Sequence, residues 1–271
     1  MPKTILITGS TDGIGLETAK EFYSQGHQVL LHGRNPTKLA AAEKMLSESS
    51  GSGQVESYLA DLSRMAEVER LAQAICERHS RLDVLINNAG ILRTNDTVTS
   101  DGFDIRFAVN TLAPYLLTQR LLPLLGPTAR VVNLSSAAQS PVDLEALAGR
   151  RMIADDLNAY AQSKLALTMW SRTMALSQKD KGPLFVAVNP GSLLATKMVK
   201  EGFGMDGKDI RIGMDILIRA VLSSEFENAS GAYFDNDVGQ FTSPHRDALD
   251  VRKSEQVVDA IKVVLANIDV E

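Results

Sequence analysis

The sequence predicts an α/β protein built as one doubly wound parallel sheet of about seven strands, with helices on both faces. Short apolar runs alternate with helical patterns from one end of the chain to the other, as strands and helices do in parallel sheets. The apolar runs are largely continuous, which is typical of strands buried on both faces. No internal repeat or low-complexity tract interrupts the pattern, so we expect residues 1–271 to form a single domain.

Strands and helices follow one another in strict order. The predicted strands are KTILITG, HQVLLHG, VESYLADL, LDVLINNAG, ARVVNLSS, PLFVAVNPG and GAYFDN. The predicted helices are GIGLETAKEFYSQG, NPTKLAAAEKMLSES, MAEVERLAQAICERH, GFDIRFAVNTLAPYLLTQRLLPLL, LNAYAQSKLALTMWSRTMALSQ, GMDILIRAVLSS and SEQVVDAIKVVLANI. In the first helix, Ala19 and Phe22 recur at helical spacing and Gly26 is a stop signal. Helices between consecutive strands supply the crossovers that a parallel sheet needs.

Composition and charge narrow the classes of function. The 44% hydrophobic and 23% charged residues are ordinary for a globular protein, and the net charge of −5 disfavours nucleic acid or an anionic membrane as partner. The four histidines show no ligand spacing, so no metal site is predicted. The N-terminus leads directly into a strand, and no segment has the ~20 apolar residues of a membrane span, so we expect a cytoplasmic protein. The single cysteine, Cys76, lies in a helical pattern and is expected to be buried.

A glycine-rich turn, TGSTDGIG at residues 8–15, joins the first strand to the first helix, which is the context of a dinucleotide-binding loop. Gly9 would permit a tight turn, Gly13 would let the backbone approach a pyrophosphate, and Gly15 would let the helix pack closely on the sheet. The helix N-terminus offers free N–H groups to the phosphates. The other predicted contacts of this loop are Ser10, Thr11, Asp12 and Ile14. A plain glycine-rich turn is the alternative.

The end of the second strand, LLHGRN, indicates which cofactor is used. An NAD-binding site has an acidic residue here, about 20 residues after the loop, to hold the ribose 2′-hydroxyl. This chain has Gly33 at that position, followed by Arg34. A guanidinium binds a 2′-phosphate, which a carboxylate would repel. The sequence therefore predicts NADP(H), with NAD(H) as the second choice, although Arg34 is alternatively a solvated surface residue.

Tyr160 and Lys164 lie four residues apart in AYAQSK, so a helix would place them side by side. Alone, this spacing is usually an ordinary surface pair. Here it accompanies TGSTDGIG, NNAG, the asparagine of FAVNTLAP, the serines of VVNLSSAAQ, and NPGSLLATKM. In their order, these six motifs resemble those of the short-chain dehydrogenase/reductase family, in particular its retinol-dehydrogenase-like branch. The Rossmann-type fold of that family agrees with the predicted sheet.

The resemblance implies a catalytic group of four residues. Tyr160 would exchange a proton with the substrate oxygen, and Lys164 would lower the pKa of the phenol and hold the nicotinamide ribose. Of the two adjacent serines, Ser136 rather than Ser135 would bind the substrate oxygen. Asn110 would hold a water in a proton relay to the lysine, and its alternative role is to cap or bend its helix.

The resemblance also implies where the rest of the cofactor binds. Asp61 and Leu62, at the end of the third strand, would hold the adenine ring. The NNAG segment would contact the adenosine ribose or brace the sheet through Asn87, Asn88, Ala89 and Gly90. The segment NPGSLLAT would hold the nicotinamide end through Pro190, Gly191, Leu193 and Thr196. Thr196 stands six residues after Pro190, one more than in the family pattern.

Two segments are expected to shape a substrate pocket. Residues 139–157 form an insertion that resembles one in the retinol-dehydrogenase-like branch, and we expect them beside the substrate mouth. Residues 194–210 carry three glycines and alternating charge, which indicates a mobile lid, with an ordinary exposed loop as the alternative. Together with residues 91–96, these segments would line an apolar pocket.

These features predict an NADP(H)-dependent oxidoreductase that reduces an aldehyde or ketone to an alcohol, or runs the reverse reaction, on an apolar small molecule. One alternative is a catalytically inactive NADP-binding regulatory protein, which the full set of catalytic-type residues disfavours. Another is a nucleotide-sugar epimerase or dehydratase, which the GxxxGxG spacing disfavours. Relatives pair through the helices that carry Asn110 and Tyr160, so a homodimer or homotetramer is expected unless the insertion blocks that interface.

Overall fold

The computed structural model describes residues 1–179 and 181–268. Its strands form one sheet in the order β3-β2-β1-β4-β5-β6-β7-β8, parallel throughout except for the antiparallel pair β7–β8. The strands are β1 (Thr4–Ile7), β2 (Gln28–Gly33), β3 (Gln54–Leu59), β4 (Val84–Asn87), β5 (Arg130–Leu134), β6 (Leu184–Asn189), β7 (Tyr233–Asp235) and β8 (Gln240–Thr242). The predicted doubly wound parallel sheet is confirmed, and β8 is one strand more than expected.

The helices lie on both faces of this sheet. They are α1 (Gly13–Ser24), α2 (Pro36–Ser47), α3 (Met65–Arg78), α4 (Ile105–Phe107), α5 (Ala113–Leu121), α6 (Leu144–Leu147), α7 (Asp156–Ser177), α8 (Lys197–Phe203), α9 (Arg211–Leu222), α10 (Arg246–Leu249) and α11 (Val251–Ala266). A π-helical turn, Ala108–Leu112, joins α4 to α5. In the described part of the chain, no helix is both long and apolar enough to cross a membrane.

Two apolar cores sandwich the sheet. Ile5 and Ile7 of β1 pack into the core beneath α1, α2 and α9, whereas Leu6 packs into the core beneath α3, α5, α7 and α11. Successive side chains of a strand point to opposite faces, so a central strand must be apolar at every position. This is why KTILITG reads as a continuous apolar run.

The order of the strands reverses beside β1. This strand pairs with β2 on one side and with β4 on the other, so the chain winds outward in both directions from it. The loops at the carboxyl ends of β1 and β4 therefore diverge and leave a crevice between them, which is where such sheets bind ligands.

Two sequence-based expectations are corrected here. Cys76, which we expected to be buried, is exposed, because Ile75 takes the buried position of α3 and the next residue is turned about 100° farther around the helix.

The insertion 139–157, which we expected beside the substrate mouth, contains the short helix α6, whose buried Ala146 and Leu147 pack towards α11. This part of the insertion joins the core on the far side of the sheet from the first helix.

Candidate active site

A cavity of about 630 Å³ opens along the carboxyl ends of strands β1 to β6. Most of the predicted site residues line it: Gly9, Thr11, Asp12, Gly13, Ile14, Arg34, Asp61, Leu62, Asn88, Ala89, Gly90, Ser136, Tyr160, Lys164, Pro190, Gly191, Leu193 and Thr196. Four other predicted residues lie behind the cavity wall: Ser10, Gly15, Asn87 and Asn110. The structure thus brings the motifs together at one edge of the sheet, the usual place for a ligand in this architecture.

The loop between β1 and α1 has the geometry that a pyrophosphate needs. Gly9 has φ 65°, and a Cβ there would lie 2.9 Å from the Cα of Ala89. A Cβ on Gly15 would lie 2.4 Å from the carbonyl oxygen of Gly9. Gly13 also has a positive φ, 59°, but faces open space, with nothing nearer than 3.8 Å. The residues present therefore fit a dinucleotide: the loop is tight, and the backbone stays accessible at the start of α1.

The NNAG segment braces this loop from β4. The side-chain amide of Asn88 donates hydrogen bonds to the carbonyl oxygens of Thr8 (2.8 Å) and Gly9 (3.0 Å). Asn87 points the other way, into the core, where its amide donates to Asn133 (2.7 Å). The two asparagines thus have different tasks, since one orders the loop and the other ties β4 to β5.

The end of the cavity where the adenosine of a dinucleotide would lie is formed by β2 and β3. A Cβ on Gly33 would lie 2.4 Å from the methyl group of Thr11, so a glycine is needed at the position where NAD-binding sites have an acid. Arg34 follows it, exposed at the cavity mouth. Lys38, which sequence reasoning missed, lines the same end and forms an ion pair with Asp12 at 2.9 Å. Its position three residues into α2, after the cap Asn35, is a signal that could have identified it.

His32 is a second missed residue at this end. Its ring is 3% exposed and lies between the backbone N–H of Gly9 and the carbonyl of Ala60. Burial lowers its pKa to about 4, so the imidazole is neutral at physiological pH. No pattern in the sequence distinguishes this histidine, because its partners come from two other strand ends.

The opposite end of the cavity carries the catalytic-type residues of α7. Lys164 is 3% exposed, and its ammonium donates a hydrogen bond to the carbonyl of Leu134 at 2.7 Å. The ammonium lies 5.7 Å from the centre of the Tyr160 ring. Burial lowers the pKa of Lys164 to about 8, which still leaves the group mostly charged at pH 7.

The pKa of Tyr160 differs from the expectation. We expected Lys164 to lower it, but in the protein alone burial raises the pKa of the phenol above its ordinary value, and hydrogen bonding by Ser136 only partly opposes this. The physical reason is the position of the ammonium, which is bonded to the backbone of Leu134 instead of the phenol oxygen. Tyr160 therefore holds its proton at neutral pH.

The two serines after β5 point in different directions. The hydroxyl of Ser135 is hydrogen-bonded at 2.6 Å to the hydroxyl of Thr168, a residue of α7. Ser136 lies on the cavity side beside Tyr160. Two residues that the sequence did not reveal fix its peptide: Tyr233 and Gln139 both donate to the carbonyl of Ser136, each at 3.0 Å.

Asn110 lies in the π-helical turn behind the catalytic group. Its side-chain oxygen accepts the N–H of Ile91 at 2.8 Å, and its amide donates to the Ile91 carbonyl and to Ser163, each at 2.9 Å. Both amide hydrogens are thus already used within the protein. The side chain clamps the segment after NNAG, close to Lys164.

The segment after β6 carries the inserted residue predicted from its spacing. Leu193 has φ 58° and, among the residues that the structure describes, is the one non-glycine with positive φ. Thr196 caps α8, accepting the N–H of Val199 at 3.3 Å, while its methyl group faces Gly13 across the cavity. Thr196 thus stays on the cavity wall, but its hydroxyl has a structural partner.

The two ends of the segment 194–210 are joined by backbone hydrogen bonds above the cavity. The N–H of Ala195 donates to the carbonyl of Lys208 (2.7 Å), and the N–H of Lys208 donates to that of Leu193 (2.6 Å). We call these two hydrogen bonds the neck of the segment. Between them lies α8, packed so closely on Leu92 that a Cβ on Gly202 would lie 2.9 Å from its methyl group. The sequence did not predict this helix.

The substrate end of the cavity is mainly apolar. Its apolar lining side chains are Ile91, Leu92, Leu157, Met198, Val199 and Phe203, and its charged ones are Arg93, Lys197 and Glu201. The insertion contributes less than expected: of residues 139–157, all of which the structure describes, Leu157 alone lines the cavity. The rest of the insertion turns away towards α11, because its apolar residues are needed in the core there.

The chain was compared with known proteins. The sequence model of the family described as short chain dehydrogenase matches residues 3–206. Retinol dehydrogenase 13 of Mus musculus is 29% identical over 269 residues, which cover 93% of this chain and 80% of that protein. Retinol dehydrogenase 12 of Mus musculus is 32% identical over 244 residues, which cover 86% of this chain and 77% of that protein.

Solved structures share the fold. An uncharacterized protein from Mycobacterium Paratuberculosis aligns with a TM-score of 0.80 at 27% identity, covering 97% of this chain and 93% of that one. An NADPH-bound carbonyl reductase from chicken fatty liver aligns with a TM-score of 0.70 at 25% identity, covering 90% and 94%. A short chain dehydrogenase from Shigella flexneri in complex with NADP gives 0.68 at 28% identity, covering 86% and 96%. With a family match over most of its length, this chain belongs to the short chain dehydrogenase family.

Proposed function

We propose that this oxidoreductase reduces an aldehyde or ketone with an apolar body to the alcohol and that NADPH is its cofactor. The observation that carries the proposal is the placement of Ser136, Tyr160 and Lys164 on one wall of the cavity, at the other end from the glycine-rich loop. A dinucleotide held by that loop would reach along the cavity to these residues.

The protein's own residues would handle the substrate oxygen and its proton. Ser136 would hold the oxygen by a hydrogen bond, and Tyr160 would give it a proton as the carbonyl carbon is reduced. The charged Lys164 would favour the phenolate that this transfer leaves. A bound nicotinamide cofactor supplies the hydride.

The protonation of Tyr160 supports reduction as the working direction. A phenol whose pKa is raised by burial stays protonated at neutral pH, so the protein rests in the form that holds a proton to give. Reduction of a carbonyl needs a donor, whereas oxidation of an alcohol needs a base. The same residues would serve the reverse reaction at higher pH.

Charge at the adenosine end favours NADP(H) over NAD(H). Gly33 presents no carboxylate to the ribose, and Arg34 and Lys38 bring two cations to the end of β2 and the start of α2. Lys38 is paired with Asp12 at 2.9 Å, so the guanidinium of Arg34 is the main cation offered to a 2′-phosphate, which a carboxylate would repel. The NADP and NADPH in the similar solved structures agree with this choice.

The apolar lining favours a substrate with a hydrocarbon body. Leu92, Val199 and Phe203 would exclude water from the reacting carbon, and burial of apolar surface would supply most of the binding energy. Retinol, for which the curated relatives are named, is an alcohol of this kind.

Steady-state oxidation of NADPH against a panel of aldehydes and ketones tests the proposal. The panel should pair long apolar carbonyls with short charged ones, and each should be run with NADH as well. We expect turnover with NADPH and apolar members, and a loss of kcat by at least about 10²-fold in Tyr160→Phe. Tyr58→Phe is the matched control, because it removes the same hydroxyl from a residue that does not line the cavity and whose hydroxyl bonds to Glu56 and His79.

Three outcomes would contradict parts of the proposal. Equal turnover with NADH would refute the cofactor preference. Full activity in Tyr160→Phe would refute the proton-donor role. Tight binding of NADPH without turnover of any member would favour a regulatory protein that binds the nucleotide without chemistry.

A further inference from the structure

His32 connects three strand ends through contacts that a simple core residue would not need. Its Nδ1 accepts a hydrogen bond from the backbone N–H of Gly9 at 3.1 Å, and its Nε2 lies 3.1 Å from the carbonyl oxygen of Ala60. The backbone of His32 is held as well, since its N–H donates to Ser10 Oγ at 2.9 Å and its carbonyl accepts the N–H of Ser10 at 3.0 Å. The ring thus spans the ends of β1, β2 and β3.

The two backbone partners define the protonation of the ring. The N–H of Gly9 can only donate, so Nδ1 must offer a lone pair; the carbonyl of Ala60 can only accept, so Nε2 must carry the hydrogen. The imidazole is therefore a neutral, single tautomer with each nitrogen engaged. A ring held in this way fixes the direction of the Gly9 N–H bond.

Gly9 is the residue at which such control matters. It has φ 65° and opens the turn of the glycine-rich loop, with its neighbours Asn88 and Ala89 packed against the other side. A glycine peptide without a side chain is free to rotate unless something holds it. Asn88 donates to the carbonyl of Thr8, and His32 accepts the N–H of Gly9, so the peptide unit that joins Thr8 to Gly9 is clamped at both polar groups.

We propose that His32 is a positioning residue for the cofactor: its neutral Nδ1 fixes the Gly9 peptide and thereby preorganises the glycine-rich loop for the pyrophosphate. This inference rests on the proposed NADP(H)-binding function. It requires no contact between His32 and the cofactor. The competing explanation is that the ring merely fills space between the strand ends.

Two conservative substitutions separate these explanations. In His32→Asn, the shorter amide places its oxygen near the position of Nδ1, where it can accept the N–H of Gly9. In His32→Gln, the longer amide reaches the position of Nε2, where it can donate to Ala60, and the acceptor for Gly9 is lost. The two variants are similar in polarity. If His32 only filled space, the shorter asparagine would not preserve the loop better than the longer glutamine.

The first measurement needs no cofactor. Amide hydrogen exchange of the peptide spanning residues 8–15, followed by mass spectrometry, reports how firmly the loop is held. We expect faster exchange in His32→Gln and nearly wild-type exchange in His32→Asn. The second measurement is NADPH affinity by calorimetry, where we expect Kd to rise about tenfold in His32→Gln, the loss of one hydrogen bond, and to stay within about twofold in His32→Asn.

Equal changes in both variants, in proportion to the loss of melting temperature, would overturn the proposal in favour of space filling. Should either variant fail to fold, ¹⁵N NMR of the wild-type imidazole decides the matter, since a protonated Nδ1 would contradict the role and an unprotonated one supports it. The experiment also distinguishes a failure of this proposal from a failure of the proposed function. If the proposed function is wrong, the wild-type protein will not bind NADPH, but the difference in hydrogen exchange between the two variants will still report how the loop is held.

Discussion

The two serines at the end of β5 have the same chemistry and different surroundings. Ser135 is 3% exposed and its hydroxyl is hydrogen-bonded to that of Thr168, so it links β5 to α7. Ser136 is the next residue, and the alternation of side chains along extended backbone turns it to the cavity beside Tyr160. Its carbonyl is held by Tyr233 and Gln139, and its hydroxyl oxygen accepts the N–H of Ala138 at 3.1 Å, so the hydroxyl hydrogen remains available to a substrate.

Alanine substitution should therefore separate stability from catalysis at these neighbours. We expect Ser136→Ala to lower kcat by about 10²-fold, because an oriented donor to the reacting oxygen is lost, with little change in melting temperature. Ser135→Ala should cost about 1 kcal/mol of unfolding free energy and keep kcat within a few fold. Steady-state kinetics and urea unfolding measure both effects. A larger kcat loss in Ser135→Ala would reverse the assignment.

At the scale of elements, a buried ion network ties the start of α4 to the start of α7. Arg106 and Asp104 are each 1% exposed and form a bidentate pair, with Nε and Nη2 donating at 2.8 and 2.6 Å. The other arm of the guanidinium pairs with Asp156, in the first turn of α7. Tyr160 lies one turn farther along the same face, so the network fixes the end of the helix that carries Tyr160.

Removal of the arginine should be costly because it leaves a carboxylate buried. We expect Arg106→Met to lower the unfolding free energy by about 3–5 kcal/mol in urea denaturation, since Asp104 loses its partner inside the protein. Arg120→Met is the matched control, because its ion pair with Glu69 lies on the surface and should contribute little. Similar losses in the two variants would show that the network does not stabilise the fold.

Elements with strong local signals could be predicted from the sequence, and the others depend on distant partners. The first seven strands and the long helices follow from apolar runs and capping signals. Strand β8 has three residues and one apolar side chain, Phe241, which packs on Phe226 and Phe234 with ring centres 5.0 Å away in each case. Helix α8 and the path of the insertion also depend on contacts made elsewhere in the chain, which no local pattern records.

The residues of the candidate site also divide into those that a local motif predicts and those that depend on distant contacts. Motifs identified the residues proposed to carry the chemistry, such as Tyr160 and Lys164, because their spacing on a helix places them side by side. The residues that hold the backbone of the site escaped notice, because His32 and Tyr233 bond to backbone groups far away in sequence, at Gly9, Ala60 and Ser136. Gln139 bonds to the carbonyl of Ser136, three residues before it, through a side-chain contact that has no periodic pattern. Contacts of this kind set no spacing along the chain.

At the scale of the whole molecule, stability should depend on pH through His32. Its pKa is about 4 in the folded protein and 6.5 ordinarily, so between these values the unfolded chain binds a proton that the folded protein does not. Stability is therefore complete above pH 6.5 and is lost as the pH falls towards 4. The loss from pH 6.5 to 5 should be on the order of 2 kcal/mol.

Urea unfolding of the wild type and of His32→Asn over this pH range isolates the effect. Carboxylates and His27, whose pKa burial also lowers, contribute equally to both proteins and cancel in the difference. The unfolding free energy of His32→Asn should change less with pH than that of the wild type. Parallel curves for the two proteins would mean that His32 does not remain neutral in the fold.

The neck at Leu193, Ala195 and Lys208 has an evolutionary consequence. Because the two ends of the segment are joined to each other, residues between them can be lengthened or replaced without moving β6 or α9. Doubling such a loop adds only about 0.6 kcal/mol of closure entropy. The segment can thus change in length and composition during evolution while the sheet and the glycine-rich loop stay the same.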